Sequence, residues 1–127
     1  MKKTFKDTSG TSFHHITITT TVNELTRVLG EPDYKGNDGE GKINFEWECE
    51  RENGDVITIY DWKNYRSIGL DEVIEFHLGG RSAMTTFEGK LELRALLNKS
   101  LKIPREGMLG KIKLLLWNIN RIFRYIN

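Results

Sequence analysis

The sequence predicts an α+β fold: an antiparallel β-sheet of about four strands with a short N-terminal helix and two C-terminal helices. Three observations predict it. Several short runs between residues 13 and 78 are rich in β-branched and aromatic residues. Asn53-Gly54 separates two of these runs, the strongest short-range signal for a hairpin. Two Thr-x-x-Glu steps, at Thr21 and Thr85, each open a run whose apolar residues recur at helical spacing.

In chain order, a mobile start leads into a first strand over Phe13-His14-His15-Ile16-Thr17-Ile18-Thr19. Thr21 and Glu24 then have capping-box spacing, and Val22, Leu25, Val28 and Leu29 give a short helix one apolar stripe. Gly30 supplies its terminator and Pro32 blocks continuation. Asp33 to Lys42, with Gly36, Gly39 and Gly41, reads as a loop. Phe45 to Lys63 reads as a hairpin about a two-residue type I′ turn at Asn53-Gly54. That register sets Cys49 against Thr58, Trp47 against Tyr60 and Phe45 against Trp62, so that four aromatic rings line one face.

Asn64 to Gly69 is a polar connection, Glu72 to Leu78 a further strand, and Gly79-Gly80 its sharp end. The second capping box, Thr85 with Glu88, opens a helix through Leu91, Leu93, Leu96 and Leu97 to about Lys99. Past Pro104, residues Leu109, Ile112, Leu116, Ile119, Phe123 and Ile126 recur at spacings of three and four, an amphipathic and basic helix. The expected organisation is therefore a sheet domain over 1–103 and a terminal helix over 104–127, packed on the same domain or on a second subunit as a homo-oligomer.

The 127 residues suffice for one core without staples, and the single cysteine, Cys49, excludes an internal disulfide and suits a reducing compartment. The basic start Met1-Lys2-Lys3 is followed by polar residues rather than a signal-peptide core, so a cytoplasmic protein is expected. Formal charge is +1, unevenly spread: residues 31–55 hold nine acids against three bases, and residues 107–127 hold four bases and no acid. Lys111, Lys113, Arg121 and Arg124 interrupt the last segment, so a membrane span is not expected, and the near-neutral total offers no broad patch for nucleic acid.

No catalytic constellation stands out. His14 and His15 are neighbours in a strand and point to opposite faces, and His-x-His and Cys-x-x-Cys pairs are absent, so no metal and no cofactor are expected. Cys49 in mid-strand reads as a small buried hydrophobe. His15-Ile16-Thr17 fits one half of a two-histidine phosphodiesterase pattern whose second half is missing, since Leu78-Gly79 follows His77. The corner Gly79-Gly80-Arg81 has the composition of an anion-binding nest, and Tyr60 and Trp62 could wall a ligand, although a plain turn and core aromatics explain the same residues. The candidate binding residues are Tyr60, Asp61, Trp62, Lys63, His77, Gly79, Gly80 and Arg81.

Phe45-Glu46-Trp47, Gly54 to Lys63 and Glu75-Phe76-His77-Leu78-Gly79-Gly80, preceded by Leu29-Gly30-Glu31-Pro32, resemble a pattern in small uncharacterised bacteriophage proteins. The resemblance covers roughly residues 20–82 and implies a viral or prophage origin, with no catalytic residues attached. The leading expectation is a non-enzymatic viral accessory protein that inhibits or sequesters a host protein, antiviral defence being one setting. The alternative is a pocket for a phosphorylated small molecule or nucleotide signal. A small hydrolase using His77 with Asp61 comes third.

Overall fold

A computed structural model describes residues 1–100, and the α+β class holds. In chain order the elements are β1 (Lys2–Lys3), β2 (Ser12–Thr20), α1 (Val22–Leu29), β3 (Tyr34–Lys35), β4 (Phe45–Glu50), β5 (Val56–Tyr60), β6 (Ile74–Gly80) and α2 (Ala83–Ser100). The strands form one antiparallel sheet in the order β1-β4-β5-β6-β2, with β3 also on β4. The helix expected over 104–127, and the oligomer contact assigned to it, lie outside the described residues.

Among the described residues the sheet has six strands, against about four expected. Both extra strands are two residues long, too short to leave a periodic pattern. The start of the chain is held by Lys2 and Lys3 pairing with Glu50 and Cys49. The glycine-containing stretch after Pro32 pairs Tyr34 with Glu46 and Lys35 with Phe45.

The hairpin is present, but its register differs by one residue from the type I′ expectation. Trp47 pairs with Ile59 and Cys49 with Ile57. The Gly54 amide donates to the Arg51 carbonyl at 2.9 Å, the Arg51 amide to the Asp55 carbonyl at 2.8 Å, and Gly54 has φ +94. This is a three-residue loop closed by glycine in the left-handed region, the next commonest hairpin connection. Asn53 supports it by accepting from the Asp55 amide at 3.0 Å. One residue of slip exchanges every cross-strand partner. Phe45, Trp47 and Cys49 turn inward with Ile57 and Ile59, whereas Tyr60 joins Glu46 on the outer face.

The inner face carries Ile18, Phe45, Trp47, Cys49, Ile57, Ile59, Phe76 and Leu78, all buried. Val22, Leu25 and Leu29 of α1 and Leu93 and Leu97 of α2 complete one core against it. At roughly 1.5–3 kcal/mol for each large apolar side chain removed from water, this layer dominates the fold's stabilisation. The start of α1 is as its sequence predicts: the Thr21 hydroxyl accepts from the Glu24 amide at 3.0 Å, and the Gly30 amide closes the other end on the Thr26 carbonyl. The second helix starts earlier than Thr85. Ser82 is its cap, accepting from the Thr85 amide at 3.1 Å, and the Thr85 hydroxyl instead donates to Asp55 at 2.7 Å. No described helix is long and apolar enough to cross a membrane.

Candidate binding surface on the outer sheet face

The face turned away from the helices is ordered in rows. Tyr34, Glu46, Tyr60, His77 and Thr17 are successive cross-strand partners running over β3, β4, β5, β6 and β2. Glu48, Thr58, Gly79 and Phe13 form the next row. Within β2 the register shifts between Phe13 and Thr17, and His15 sits there at φ +63. A bulge of this kind re-aims side chains and blunts an edge strand.

The bulge brings Phe13 onto His77, centroids 3.9 Å apart and planes 9° from parallel. His15 tilts against Phe13 at 5.1 Å. Tyr60 meets His77 edge-on at 5.6 Å, Trp62 lies 6.2 Å from it at 28°, and Tyr60 and Trp62 are 6.1 Å apart. Two lysines approach the Trp62 ring, Lys63 Nζ at 5.5 Å and Lys42 Nζ at 5.9 Å, within cation–π range. The Lys63 amide donates to the Lys42 carbonyl at 2.7 Å, which sets the two lysines side by side. Trp62 is 39% exposed and Tyr34 50%.

Electrostatics at this surface follow from partial burial. Burial lowers the His77 pKa below its ordinary value, with His15 acting in the same direction and Glu75 opposing. Burial raises the Glu46 carboxyl, helped by the charges of Glu48 and Asp33. The Tyr60 hydroxyl is raised by burial and by Glu46.

Asp61 faces the other way. Fully buried, it accepts from the amides of Asn44 and Phe45 at 2.8 Å each on Oδ1, and from Asn44 Nδ2 at 3.0 Å and Asn64 Nδ2 at 3.3 Å on Oδ2. Asn44, itself buried, also donates to the Arg66 carbonyl at 2.9 Å. Asp61 therefore ties down the segment that presents Trp62 and Lys63, and its carboxylate is committed to these four donors rather than to His77.

Gly79 and Gly80 are ladder residues of β6, paired with Phe13 and Ser12, and not a turn after the strand. A Cβ at Gly79 would collide with the Thr58 hydroxyl on the outer face, and one at Gly80 with the Thr86 hydroxyl of α2 on the inner face. Their sequence signal is close packing on the two faces. Arg81 donates to the carbonyls of Ser9 at 3.0 Å and Asp7 at 2.7 Å, pinning the N-terminal segment. It lines a separate depression of about 350 Å³ with Lys6, Gly54, Asp55, Val56, Ser82 and Thr85, in which no aromatic ring takes part.

Of the residues singled out from sequence, Tyr60, Trp62, Lys63 and His77 thus come together, while Asp61, Gly80 and Arg81 serve the scaffold and Gly79 underlies the rings. Phe13, His15, Lys42 and Glu46 belong to the same surface and were missed; β2 joins it only through its pairing with β6, which no local signal announces. Among the described residues no group of three or more His, Cys, Asp or Glu is placed to hold a metal ion. Cys49 is fully buried and its thiol is pushed up to about 12, chiefly by burial, which removes it as a nucleophile. The sequence matches no protein-family model, no curated protein and no solved structure at a significant level.

Proposed function

We propose that the protein acts by binding rather than by catalysis, and that the outer sheet face around His77 is its recognition surface. One observation carries this reading: Phe13, Tyr60, Trp62 and His77 are in ring contact on the side of the sheet away from the helices, with Trp62 39% exposed. Aromatic side chains left on an ordered face are the typical energetic anchors of protein interfaces, because they bury large areas at small entropic cost. The partner this chemistry fits is a protein presenting an apolar centre edged by carboxylates, which Lys42 and Lys63 would meet. The resemblance to bacteriophage proteins supports a host protein in that role, held and sequestered.

The test is affinity capture from host extract with the native chain, a Trp62→Ala, His77→Ala double variant, and a Lys90→Ala control on α2. Loss of a specific captured protein in the double variant, with the control unchanged, is expected. Equal capture by all three would discard the surface.

A second reading has its own observation. An exposed indole with two ammonium groups above it is also chemistry that stacks a nucleobase and attracts its phosphate. Thermal stabilisation by nucleotides that disappears in Trp62→Ala would favour this reading over a protein partner.

A further inference from the structure

Four carboxylates gather at the outer side of β4, and three of them are committed within the chain. Glu50 accepts from the Thr4 hydroxyl at 2.6 Å and pairs with Lys2 and Lys6. Glu48 accepts from the Thr8 hydroxyl at 2.8 Å, and Asp33 pairs with Lys3 at 3.2 Å and accepts from the Glu48 amide at 2.6 Å. Glu46 is the exception. Among the described residues no hydrogen bond or ion pair reaches its carboxylate, although the side chain is partly buried. Lys42 and Lys63, on the same face, approach the Trp62 ring instead. The register sets Tyr34 of β3 on one side of Glu46 and Tyr60 of β5 on the other. Both rings are held in place. A Cβ at Gly36 would stand 3.1 Å from Tyr34 Cζ, so the Tyr34 ring lies over that glycine, and Trp62 and His77 edge the Tyr60 ring.

We propose that Glu46 is the subsite for an arginine side chain of the protein partner, its guanidinium paired with the carboxylate and flanked by Tyr34 and Tyr60. The proposal rests on the outer face being the recognition surface, and it names a group that the partner must bring. A carboxylate withdrawn from water without a partner is costly, and a cation supplied from outside offsets that cost. The burden is visible in the Glu46 carboxyl, raised above its ordinary value first by burial and then by Glu48 and Asp33. Side chains opposed across a strand pair stand about 5 Å apart, so two tyrosines with one strand between them flank a gap of about 10 Å. A planar group in van der Waals contact with a ring on each side needs about 7 Å. Guanidinium is planar, weakly hydrated, stacks on aromatic faces and meets a carboxylate with two parallel N–H donors. Lysine, a compact and strongly hydrated point charge, uses neither wall. With Lys42 and Lys63 at the Trp62 end, the surface then reads an arginine beside acidic groups on the partner.

The test is a titration of the full chain with N-acetylarginine N-methylamide and its lysine and citrulline counterparts at constant ionic strength, followed by amide NMR. Saturable shifts at Tyr34, Glu46 and Tyr60 are expected with the arginine compound, at least fivefold weaker binding with lysine, and no response to citrulline. Glu46→Gln breaks no contact within the described residues and should abolish the arginine response without lowering the thermal midpoint. Tyr34→Ala, on a two-residue edge strand, should weaken it at least threefold. No saturable shift, equal binding of lysine, or a response that survives Glu46→Gln overturns the proposal. Capture from host extract is read in parallel. Capture that needs Trp62 and His77 but is unchanged in Glu46→Gln ends the arginine subsite and leaves the recognition surface standing. An arginine response in a chain whose capture ignores Trp62 and His77 upholds the subsite and removes the wider surface instead.

Discussion

The Phe13 ring lies flat on the His77 imidazole, 3.9 Å away and 9° from parallel. One strand bulge and one pairing produce this contact: β2 shifts register after Phe13, and β6 places His77 two residues from Phe13's partner Gly79. The stack covers one side of His77, with Tyr60 and Trp62 around it.

A pH dependence follows from that enclosure. The His77 pKa is lowered in the folded state, first by burial, with His15 adding to the effect and Glu75 opposing it. A histidine whose folded value lies below its unfolded value binds its proton more readily when unfolded. Its contribution to stability is therefore full at neutral pH and is lost as pH falls through the ordinary histidine range, near 6.5. Thermal midpoints measured from pH 7.5 to 5.5 should fall, and His77→Gln should flatten the decline. The raised Glu46 carboxyl works in the opposite direction at lower pH, and the lowered Asp55 and Glu72 carboxyls add acid sensitivity below their unfolded values. A slope in this window that is identical in native and His77→Gln proteins would contradict the assignment.

Asp61 links stability to the presentation of the proposed binding surface. Replacing it by alanine leaves the buried amides of Asn44 and Phe45, and the one carboxamide N–H of Asn44 that does not go to the Arg66 carbonyl, without their acceptor. Each buried donor left unpaired costs about 1–3 kcal/mol, so Asp61→Ala should lose about 3 kcal/mol or more in chemical denaturation. Wherever the variant still folds, partner capture should weaken as well, because Trp62 follows directly on the lost anchor. A stability change below about 1 kcal/mol would mean that water replaces the carboxylate.

Gly79 tests whether the outer face is packed to its limit. An added methyl would meet the Thr58 hydroxyl and stand 3.7 Å from the Tyr60 ring. Overpacking of this kind costs typically about 1–3 kcal/mol. Gly79→Ala should be destabilised by that amount, and adding Thr58→Ala should recover most of it. Additive losses in the double variant would place the strain in the backbone instead.

The layered fold was readable because its signals are local. The cap at Thr21, the stop at Gly30, the apolar–glutamate alternation of β4 and the β-branched and aromatic residues of β5 and β6 each announce themselves within a few residues. The hairpin's existence was legible but its register was not: Asn53-Gly54 serves a two-residue turn as well as the three-residue loop that forms, and the choice depends on packing. Phe45, Trp47 and Cys49 on one strand and Ile57 and Ile59 on the other share the inner face in the observed pairing, whereas the one-residue slip would put the two sets on opposite faces. Half of the candidate surface was hidden for a related reason. Phe13 and His15 lie some sixty residues before His77, and the edge pairing that joins them carries a bulge.

Cys49 offers a direct check on the inner face. The side chain is fully buried beside Ile57 in the register, and its thiol is pushed up to about 12, first by burial and then by Asp33. A thiol so far above neutrality is almost wholly protonated, and the thiolate is the species that attacks thiol reagents. The native chain should therefore leave a thiol-reactive dye unreacted at pH 8, with one equivalent released on unfolding in denaturant. Cys49 shares the inner face with Phe45, Trp47, Ile57 and Ile59, all buried, so a reagent reaches it only when the sheet opens. Rapid native labelling at pH 8 would thus overturn the burial of Cys49 on the inner face.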